Sequence, residues 1–292
     1  MRNFFNSRAV LVVGAILIVL GLVLFFIFNK KTPEVVPVVL PVVSYPIKSV
    51  IGKSVEGRDI NAYRYGNGTT HLVFVGGVHG GYEWNSILVA YEIKDYIDAN
   101  PNLVPANVTL TIIPSANPDG MYKIVKKEGR FTAKDIPAGT NSTGRFNANA
   151  VDLNRNFDCK WQPKSTWQSK TVSAGTKAFS EPESIAIRDF ATSNNPVAIV
   201  FWHSQSGAVY ASQCEKGILP ETLNIMEVFA KASGYKAVPE FDAYQTTGDS
   251  EAWLAKIGIP SLTVELKNHE NTDFKENLAG LQALLKYYSK KI

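Results

Sequence analysis

The chain begins with a long apolar stretch. From Ala9 to Phe28, 20 residues carry no charged or amide side chain. As an α-helix this stretch would be about 30 Å long, which matches the hydrocarbon core of a bilayer. A cleaved signal peptide would have a shorter apolar region ending in small residues, whereas Phe28 is followed by the polar residues 29–31. The pattern therefore predicts an uncleaved membrane-spanning helix over residues 9–28, after a short flank over residues 1–8.

A proline-rich segment follows the apolar stretch. Prolines at positions 33, 37, 41 and 46 stand among valines, and the segment has no helical period. Such segments are extended and semi-rigid. We therefore expect a linker over residues 29–46 that separates the membrane helix from a folded domain over residues 47–292.

The rest of the sequence alternates strand-like and helix-like patterns without internal repeats. Short apolar runs that end in polar or glycine-rich turns are typical of buried central strands, and they occupy His71–Gly77, Val108–Ile113, Ala198–His203 and Ser261–Leu266. Apolar residues at three- and four-residue intervals indicate helices over Trp84–Ile97, Glu181–Ala191, Glu221–Ala232 and Asn277–Tyr288, and Ser180–Glu183 resembles a capped helix start. This alternation predicts a single α/β domain with a central mixed β-sheet flanked by helices.

The net charge of +4 is located at the N-terminus. Residues 2, 8, 30 and 31 are basic, and no acidic residue precedes Glu34. The chain has 30 Lys and Arg residues, so 26 remain after these four, and the chain also has 26 Asp and Glu residues. The folded part is therefore neutral and gives no reason to expect a nucleic-acid partner.

Two of the four histidines, His79 and His203, lie where predicted central strands end. Open α/β sheets bind ligands at that edge. A single histidine there is more often structural, but Glu83 stands four residues after His79, so both side chains can face one point. Two histidines and one glutamate form a known catalytic zinc set that leaves a position for water. His71 and His269 lack such a context, and we expect them to be structural or surface residues.

Three other catalytic motifs are absent from the sequence. A G-x-G-x-x-G dinucleotide loop starting at Gly76 would need glycine in place of Val78. The sequence contains neither the G-x-S-x-G turn of serine hydrolases nor the H-E-x-x-H helix of thermolysin-like zinc enzymes. The arrangement that remains is a zinc hydrolase whose metal ligands come from strands that are distant in the sequence.

Several blocks, in order, give the chain a resemblance to the zinc metallocarboxypeptidases related to pancreatic carboxypeptidases A and B. The resemblance covers roughly Ile51 to Lys267. The blocks are Ile51–Asp59, Gly77–Glu83, Asn117–Gly120, Val151–Phe157, Trp202–Ser204, Tyr244–Trp253 and Thr263–Leu266. Each block is weakly specific by itself, and their common order makes the resemblance strong.

The resemblance implies a set of metal-binding and catalytic residues. His79, Glu83 and His203 match the ligands of one zinc ion, and Glu265 matches the general base. Arg145 is the best match for the arginine that polarises the scissile carbonyl, with Arg130 as a weaker rival. The family motif has two residues between histidine and glutamate, whereas this chain has three. We keep Glu83 as the expected ligand because no other carboxylate stands near His79 in the sequence.

The resemblance also implies substrate-binding residues. Asn154 and Arg155 match the pair that holds the terminal carboxylate of a peptide, and Tyr244 matches the mobile tyrosine that closes over it. Glu251 aligns with the residue at the base of the specificity pocket, where an acid would favour lysine, arginine or the amine of diaminopimelate. Alternatively, Glu251 is a solvent-facing residue at a helix start, favoured there by the helix dipole.

These matches predict a zinc-dependent carboxypeptidase that acts on a peptide or muropeptide. A peptidoglycan-peptide amidase of the same fold, releasing diaminopimelate or lysine, is an open alternative. A membrane-tethered binding module without catalytic activity is a third, and the intact catalytic positions argue against it.

Two features of the sequence bear on the location of the domain. Basic residues flank both sides of the apolar stretch, so the positive-inside bias is small. Cys159 and Cys214 fit either one disulfide in an oxidising compartment or two buried thiols. We expect a single-pass membrane protein whose catalytic domain lies outside the cytoplasm.

Overall fold

The computed structural model of the protein describes residues 7–29, 45–139 and 142–291. Internal contacts divide the chain into two units, Met1–Val43 and Ser44–Ile292. Most of the predicted linker, and residues 1–6 of the predicted flank, fall outside the described residues.

The described part of the first unit is a helix, α1, over Ser7–Phe28. Its window Leu11–Phe28 is long and apolar enough to cross a membrane, with a mean hydropathy of 3.3. An N-terminal signal sequence can pass the same test of length and hydropathy, so the membrane-spanning role of this helix stays a prediction.

The second unit is an α/β domain. Its helices are α2 (Trp84–Ala99), α3 (Pro118–Val125), α4 (Pro182–Asn194), α5 (Pro220–Ser233), α6 (Ser250–Lys256) and α7 (Phe274–Ser289). Its strands are β1 (Ile47–Lys53), β2 (Asp59–Tyr65), β3 (Thr70–Val75), β4 (Val108–Ile113), β5 (Lys164–Trp167), β6 (Lys170–Ser173), β7 (Ala198–Ser204), β8 (Ala208–Ala211), β9 (Gln213–Cys214), β10 (Gly217–Ile218), β11 (Lys236–Val238) and β12 (Ser261–Leu266).

Eight of these strands form one mixed sheet in the order β1-β2-β4-β3-β7-β12-β8-β11. The four central strands β4, β3, β7 and β12 run parallel to one another. Antiparallel pairing joins β2 to β4 and β8 to β12 on either side of this group. The predicted central mixed sheet is thereby confirmed.

Helices cover both faces of the sheet. Side chains alternate between the two faces along a strand, so Phe74 faces the layer of α2, α5 and α7, whereas Val73 and Val75 face the layer of α4 and α6. Burial on both faces explains why the central strands are continuous apolar runs in the sequence. The four predicted strands and four predicted helices are confirmed, with ends that differ by up to three residues.

The start of α4 differs in one detail from its prediction. Pro182 occupies the first turn as expected, but the capping residue is Glu181, whose side chain makes no capping hydrogen bond. Ser180 instead donates its hydroxyl to Glu181 Oε1. The fixed backbone angle of proline, rather than a side-chain cap, sets this helix start.

The two cysteines form a disulfide in this structure. The Cys159–Cys214 bond joins positions 55 residues apart. It connects the loop that follows Asn154 and Arg155 to strand β9, and both cysteines are buried. The disulfide therefore ties together two segments that are 55 residues apart in the sequence.

Replacing both cysteines by serine should lower the free energy of unfolding by about 4 kcal/mol, because a disulfide restricts the unfolded chain. Urea unfolding of the full-length chain in mild detergent measures this change. As the control, the unaltered protein in a reducing agent should unfold at the midpoint of the double variant. A midpoint that does not respond to reductant would contradict the prediction.

Candidate active site

Three parallel strands deliver the central residues of the site to one edge of the sheet. β7 lies between β3 and β12, and His203 on β7 is directly opposite Glu265 on β12. His79 follows four residues after the end of β3, on the other side of β7. The topology therefore brings His79, His203 and Glu265 to the carboxyl end of adjacent strands, where open α/β sheets bind their ligands.

A tight turn brings Glu83 back to His79. Residues Gly80–Glu83 form one turn of 3₁₀-helix that leads into α2. Gly80 has φ +44°, and a Cβ atom there would lie 2.7 Å from the carbonyl oxygen of Gly144. This backbone crossing requires glycine. The compact turn accommodates the additional residue between histidine and glutamate.

The three expected metal ligands converge. His79 Nδ1 lies 2.7 Å from Glu83 Oε1, and His203 Nδ1 lies 2.9 Å from Glu83 Oε2. The two Nδ1 atoms are 3.1 Å apart, and all three residues are buried. One ligand atom from each lies within 4.8 Å of the others, and this nitrogen and oxygen set fits a zinc ion.

The charges of this cluster depend on one another. Burial raises the pKa of Glu83, but the charges of His79 and His203 outweigh burial and hold it well below its usual range. Burial lowers the pKa of His203, whereas Glu83 and Glu251 raise it well above its ordinary value. Without metal, the carboxylates thus retain a proton on His203. Metal binding requires the neutral imidazole and would release that proton.

Each histidine faces a second carboxylate with its other ring nitrogen. His79 Nε2 lies 3.5 Å from Asp152 Oδ1, and His203 Nε2 lies 3.3 Å from Glu251 Oε1. Both Nε2 atoms are buried, and neither has a hydrogen-bond partner among the described residues. In both cases a carboxylate therefore lies close to Nε2, on the side of the ring that faces away from the His79, Glu83 and His203 cluster.

Arg145 reaches the same site from a separate loop. Its Nε atom donates to Asp152 Oδ2 at 2.8 Å, and its Nη1 atom lies 3.6 Å from Glu83 Oε1. The guanidinium also lies 4.5 Å from the centre of the Trp167 ring. Arg130, the weaker candidate, is exposed and pairs with Asp95.

Glu265 is a partly buried residue whose carboxyl group lacks a full set of partners. Its Oε2 atom has no hydrogen-bond partner in the described structure. Burial, followed by the negative charge of Glu83, raises the pKa of Glu265 to about 8. A carboxyl group with such a pKa can accept and return a proton near neutral pH.

The expected substrate-binding residues line the same cavity, which has a volume of about 420 Å³. Asn154 Oδ1 accepts hydrogen bonds from the backbone and hydroxyl of Ser250. Arg155 Nε donates to Thr166 O, and the ring of Tyr244 packs edge-on against Phe241. The cavity wall thus combines a guanidinium, an amide and a phenol above the metal-binding cluster.

Glu251 is buried on this wall, in the first turn of α6. Its side chain therefore does not point to solvent, which was the alternative interpretation of this position. Thr263 donates its hydroxyl to Glu251 Oε1, and Ser250 donates to Oε2. Both carboxylate oxygens are thus engaged within the protein.

Three further residues belong to the site that the sequence did not reveal. Asp152 contacts His79 and Arg145, and its position two residues before Asn154 was the available signal. Asp249 lines the cavity, and burial and the charge of Glu251 raise its pKa to about 6. His269, expected to be structural or exposed, also lines the cavity and bonds to the Ser204 hydroxyl.

A comparison with protein families shows which family the chain belongs to. Residues 45–283 match the family described as zinc carboxypeptidase. The chain belongs to this family. The family consists of zinc-dependent peptide hydrolases, and among the described residues the His79, Glu83 and His203 cluster is able to bind the metal. The resemblance noted in the sequence and the expected zinc cofactor are confirmed.

Individual relatives have different activities. The chain is 25% identical to gamma-D-glutamyl-L-diamino acid endopeptidase 1 of Lysinibacillus sphaericus, over 76% of this chain and 60% of that protein. It is 26% identical to carboxypeptidase B of Helicoverpa zea, over 82% of this chain and 59% of that protein. The chain therefore spans about three fifths of these relatives.

A solved structure shows the same fold. Murein-tripeptide amidase MpaA from Escherichia coli O157 superposes with a TM-score of 0.58 and 22% identity, over 83% of this chain and 93% of that chain. At this identity the similarity shows the fold alone. Together the relatives include carboxypeptidases and enzymes of peptidoglycan peptides, so membership of the family does not choose between these activities.

The His79→Ala and His203→Ala variants should each lose bound zinc, because each removes one of three ligands. Glu83→Ala should weaken zinc binding similarly. Metal analysis of the full-length chain after dialysis against a weak chelator measures the stoichiometry. His71→Ala is the matched control, since His71 bonds to Thr111 away from the cluster and should not affect zinc. Unchanged stoichiometry in the first two variants would contradict the site, and zinc retained in Glu83→Ala would remove Glu83 from it.

Proposed function

We propose that this chain is a membrane-anchored zinc carboxypeptidase that releases a C-terminal residue with a cationic side chain. The observation that carries the proposal is one cavity that combines a buried His-Glu-His cluster, a partner-poor Glu265 and two arginines. Hydrolysis of the last peptide bond of a chain requires a metal-binding group, a proton acceptor and positively charged groups close enough to contact one substrate molecule.

The chemistry divides between the metal and the protein. A zinc ion held by His79, Glu83 and His203 would lower the pKa of a bound water toward ~7. Glu265 accepts the proton of the attacking water and returns it to the leaving amine, a role for which its raised pKa is suited. Arg145, held in place by Asp152, stabilises the negative charge that develops on the carbonyl oxygen.

Restriction to a chain end comes from Arg155 and Asn154. A guanidinium recognises a planar carboxylate through parallel hydrogen bonds. Arg155 is buried on the cavity wall, where such an anion would compensate its charge. Tyr244 lies at the same wall and would close over the bound residue.

The preference for a cationic residue rests on Asp249, a carboxyl group that lines the cavity beside Glu251. A negative wall attracts an ammonium group and penalises an apolar side chain that leaves the charge without a partner. A substrate from peptidoglycan, ending in lysine or diaminopimelate, satisfies the same requirement. The names of the L. sphaericus endopeptidase and of MpaA support this second substrate.

An extracytoplasmic domain fits the disulfide. Disulfides persist in oxidising compartments and are rare in the cytosol. The Cys159–Cys214 bond therefore supports a domain outside the cytoplasm, tethered by the apolar helix Ser7–Phe28.

Glu265→Gln should retain zinc and the fold but lower kcat by about 10²- to 10⁴-fold, because it removes the proton acceptor while keeping the shape of the side chain. Turnover of a peptide ending in lysine by the full-length chain in mild detergent measures the change. The control is Glu270→Gln, an exposed residue beyond the end of the same strand, which should be as active as the unaltered enzyme. A near-normal rate for Glu265→Gln would assign the base elsewhere.

Arg155→Ala should mainly raise KM for peptides with a free terminal carboxylate, because it removes the group that pairs with this anion. The matched control is Arg130→Ala, which removes an exposed arginine that pairs with Asp95. A panel of free and C-terminally amidated peptides, with muropeptides ending in diaminopimelate, measures both effects. Equal cleavage of free and amidated peptides by the unaltered enzyme would refute action at the chain end, and cleavage of muropeptides alone would favour the amidase.

A further inference from the structure

Glu251 lies between two parts of the site. It stands in the first turn of α6, on the wall of the cavity, and its carboxylate reaches the back of the His203 ring. Glu251 Oε1 is 3.3 Å from His203 Nε2, while His203 Nδ1 faces Glu83 on the other side of the ring. A position aligned with substrate specificity is thus in contact with a metal ligand.

The carboxylate is fixed by contacts from three elements. Ser250 on α6 donates to Oε2, and Thr263 on β12 donates to Oε1. His203 on β7 supplies the third contact. With both oxygens engaged, an ammonium group of a substrate could pair with Glu251 only by displacing one of these partners.

The other ligand has the same arrangement. His79 Nε2 lies 3.5 Å from Asp152 Oδ1, and Asp152 is fixed in turn by Arg145. Each imidazole therefore directs Nδ1 toward the shared metal position and Nε2 toward a buried carboxylate. A carboxylate beside the second ring nitrogen of a metal-binding histidine fixes the ring orientation and makes the imidazole a more basic ligand.

We propose that Glu251 is a positioning residue for the zinc site, which holds the His203 ring with Nδ1 toward the metal, rather than the residue that selects the substrate side chain. This inference rests on the proposed zinc peptidase function. It gives the two cavity carboxylates different roles. Asp249 makes no hydrogen bond or ion pair with His203 in the described structure and remains available to a cationic substrate.

The test compares Glu251→Ala, Glu251→Gln and the unaltered full-length chain in mild detergent. Competition against a coloured chelator gives the zinc affinity of each protein. Glu251→Ala should bind zinc about 10- to 100-fold more weakly. Glu251→Gln should fall between the two, because the amide oxygen still faces His203 Nε2 but carries no charge. If the alanine variant does not fold, the zinc affinity of the glutamine variant, which has nearly the same shape as the unaltered side chain, tests the proposal.

Asp249→Asn is the matched control. It removes one negative charge from the same cavity, two residues away, and asparagine still caps α6 at its N-terminus. Its zinc affinity should equal that of the unaltered chain. If Asp249→Asn weakens zinc as much as Glu251→Gln does, the effect comes from the total charge of the cavity and the proposal is wrong.

Two further measurements separate positioning from a general structural role and from specificity. The increase in Tm on adding zinc should shrink in Glu251→Gln, while the Tm of its zinc-free form should equal that of the unaltered zinc-free protein. The ratio of kcat/KM for peptides ending in lysine and leucine, measured at saturating zinc, should not change in Glu251→Gln. Unchanged zinc affinity with a lost preference for lysine would overturn the proposal and return Glu251 to the substrate pocket.

The outcome for the unaltered protein keeps the two proposals apart. If the unaltered chain binds no zinc, the proposed function fails and the inference fails with it. If it binds zinc and cleaves peptides, and both Glu251 variants bind zinc equally well, only the inference is wrong.

Discussion

The site depends on the mutual neutralisation of buried charges. Four carboxyl groups, those of Glu83, Asp152, Glu251 and Glu265, are packed with two imidazoles and one guanidinium at the edge of the sheet. Isolated buried charges are costly, so each group must find a partner of opposite charge or change its protonation state. Asp152 resolves this by pairing with Arg145, whereas Glu265 does so through a raised pKa. A divalent cation adds the positive charge that the cluster otherwise obtains from protons.

The strands that carry this cluster were predictable because their signal is local. Continuous apolar runs gave β3, β4, β7 and β12, and the ends of these runs gave His79, His203 and Glu265. The resemblance to a family supplied the other expected residues, and the cavity brings them together. Their individual roles stay predictions, as does the membrane-spanning role of the first helix.

The contacts behind the metal ligands were not predictable from the sequence. Glu251 reaches His203 only because α6 packs beside β12, and Asp152 reaches His79 only because a separate loop crosses the turn after β3. The hydrophobic periodicity of a sequence carries no information about contacts between segments that are distant in the sequence. The pairing of Cys159 with Cys214 and the position of His269 in the cavity depend on tertiary packing in the same way.

The glycine at position 80 is part of a larger crossing that restricts how this enzyme can diverge. A Cβ atom on Gly80 or Gly120 would lie within 2.7 Å of the Gly144 carbonyl, and one on Gly81 would lie 2.9 Å from the Gly120 carbonyl. The turn that carries Glu83 and the loop that carries Arg145 therefore touch through bare backbone. A side chain introduced at any one of these glycines would displace the metal ligands and the arginine together. These glycines therefore tolerate little substitution, and residues of the cavity that lie outside this junction are freer to change.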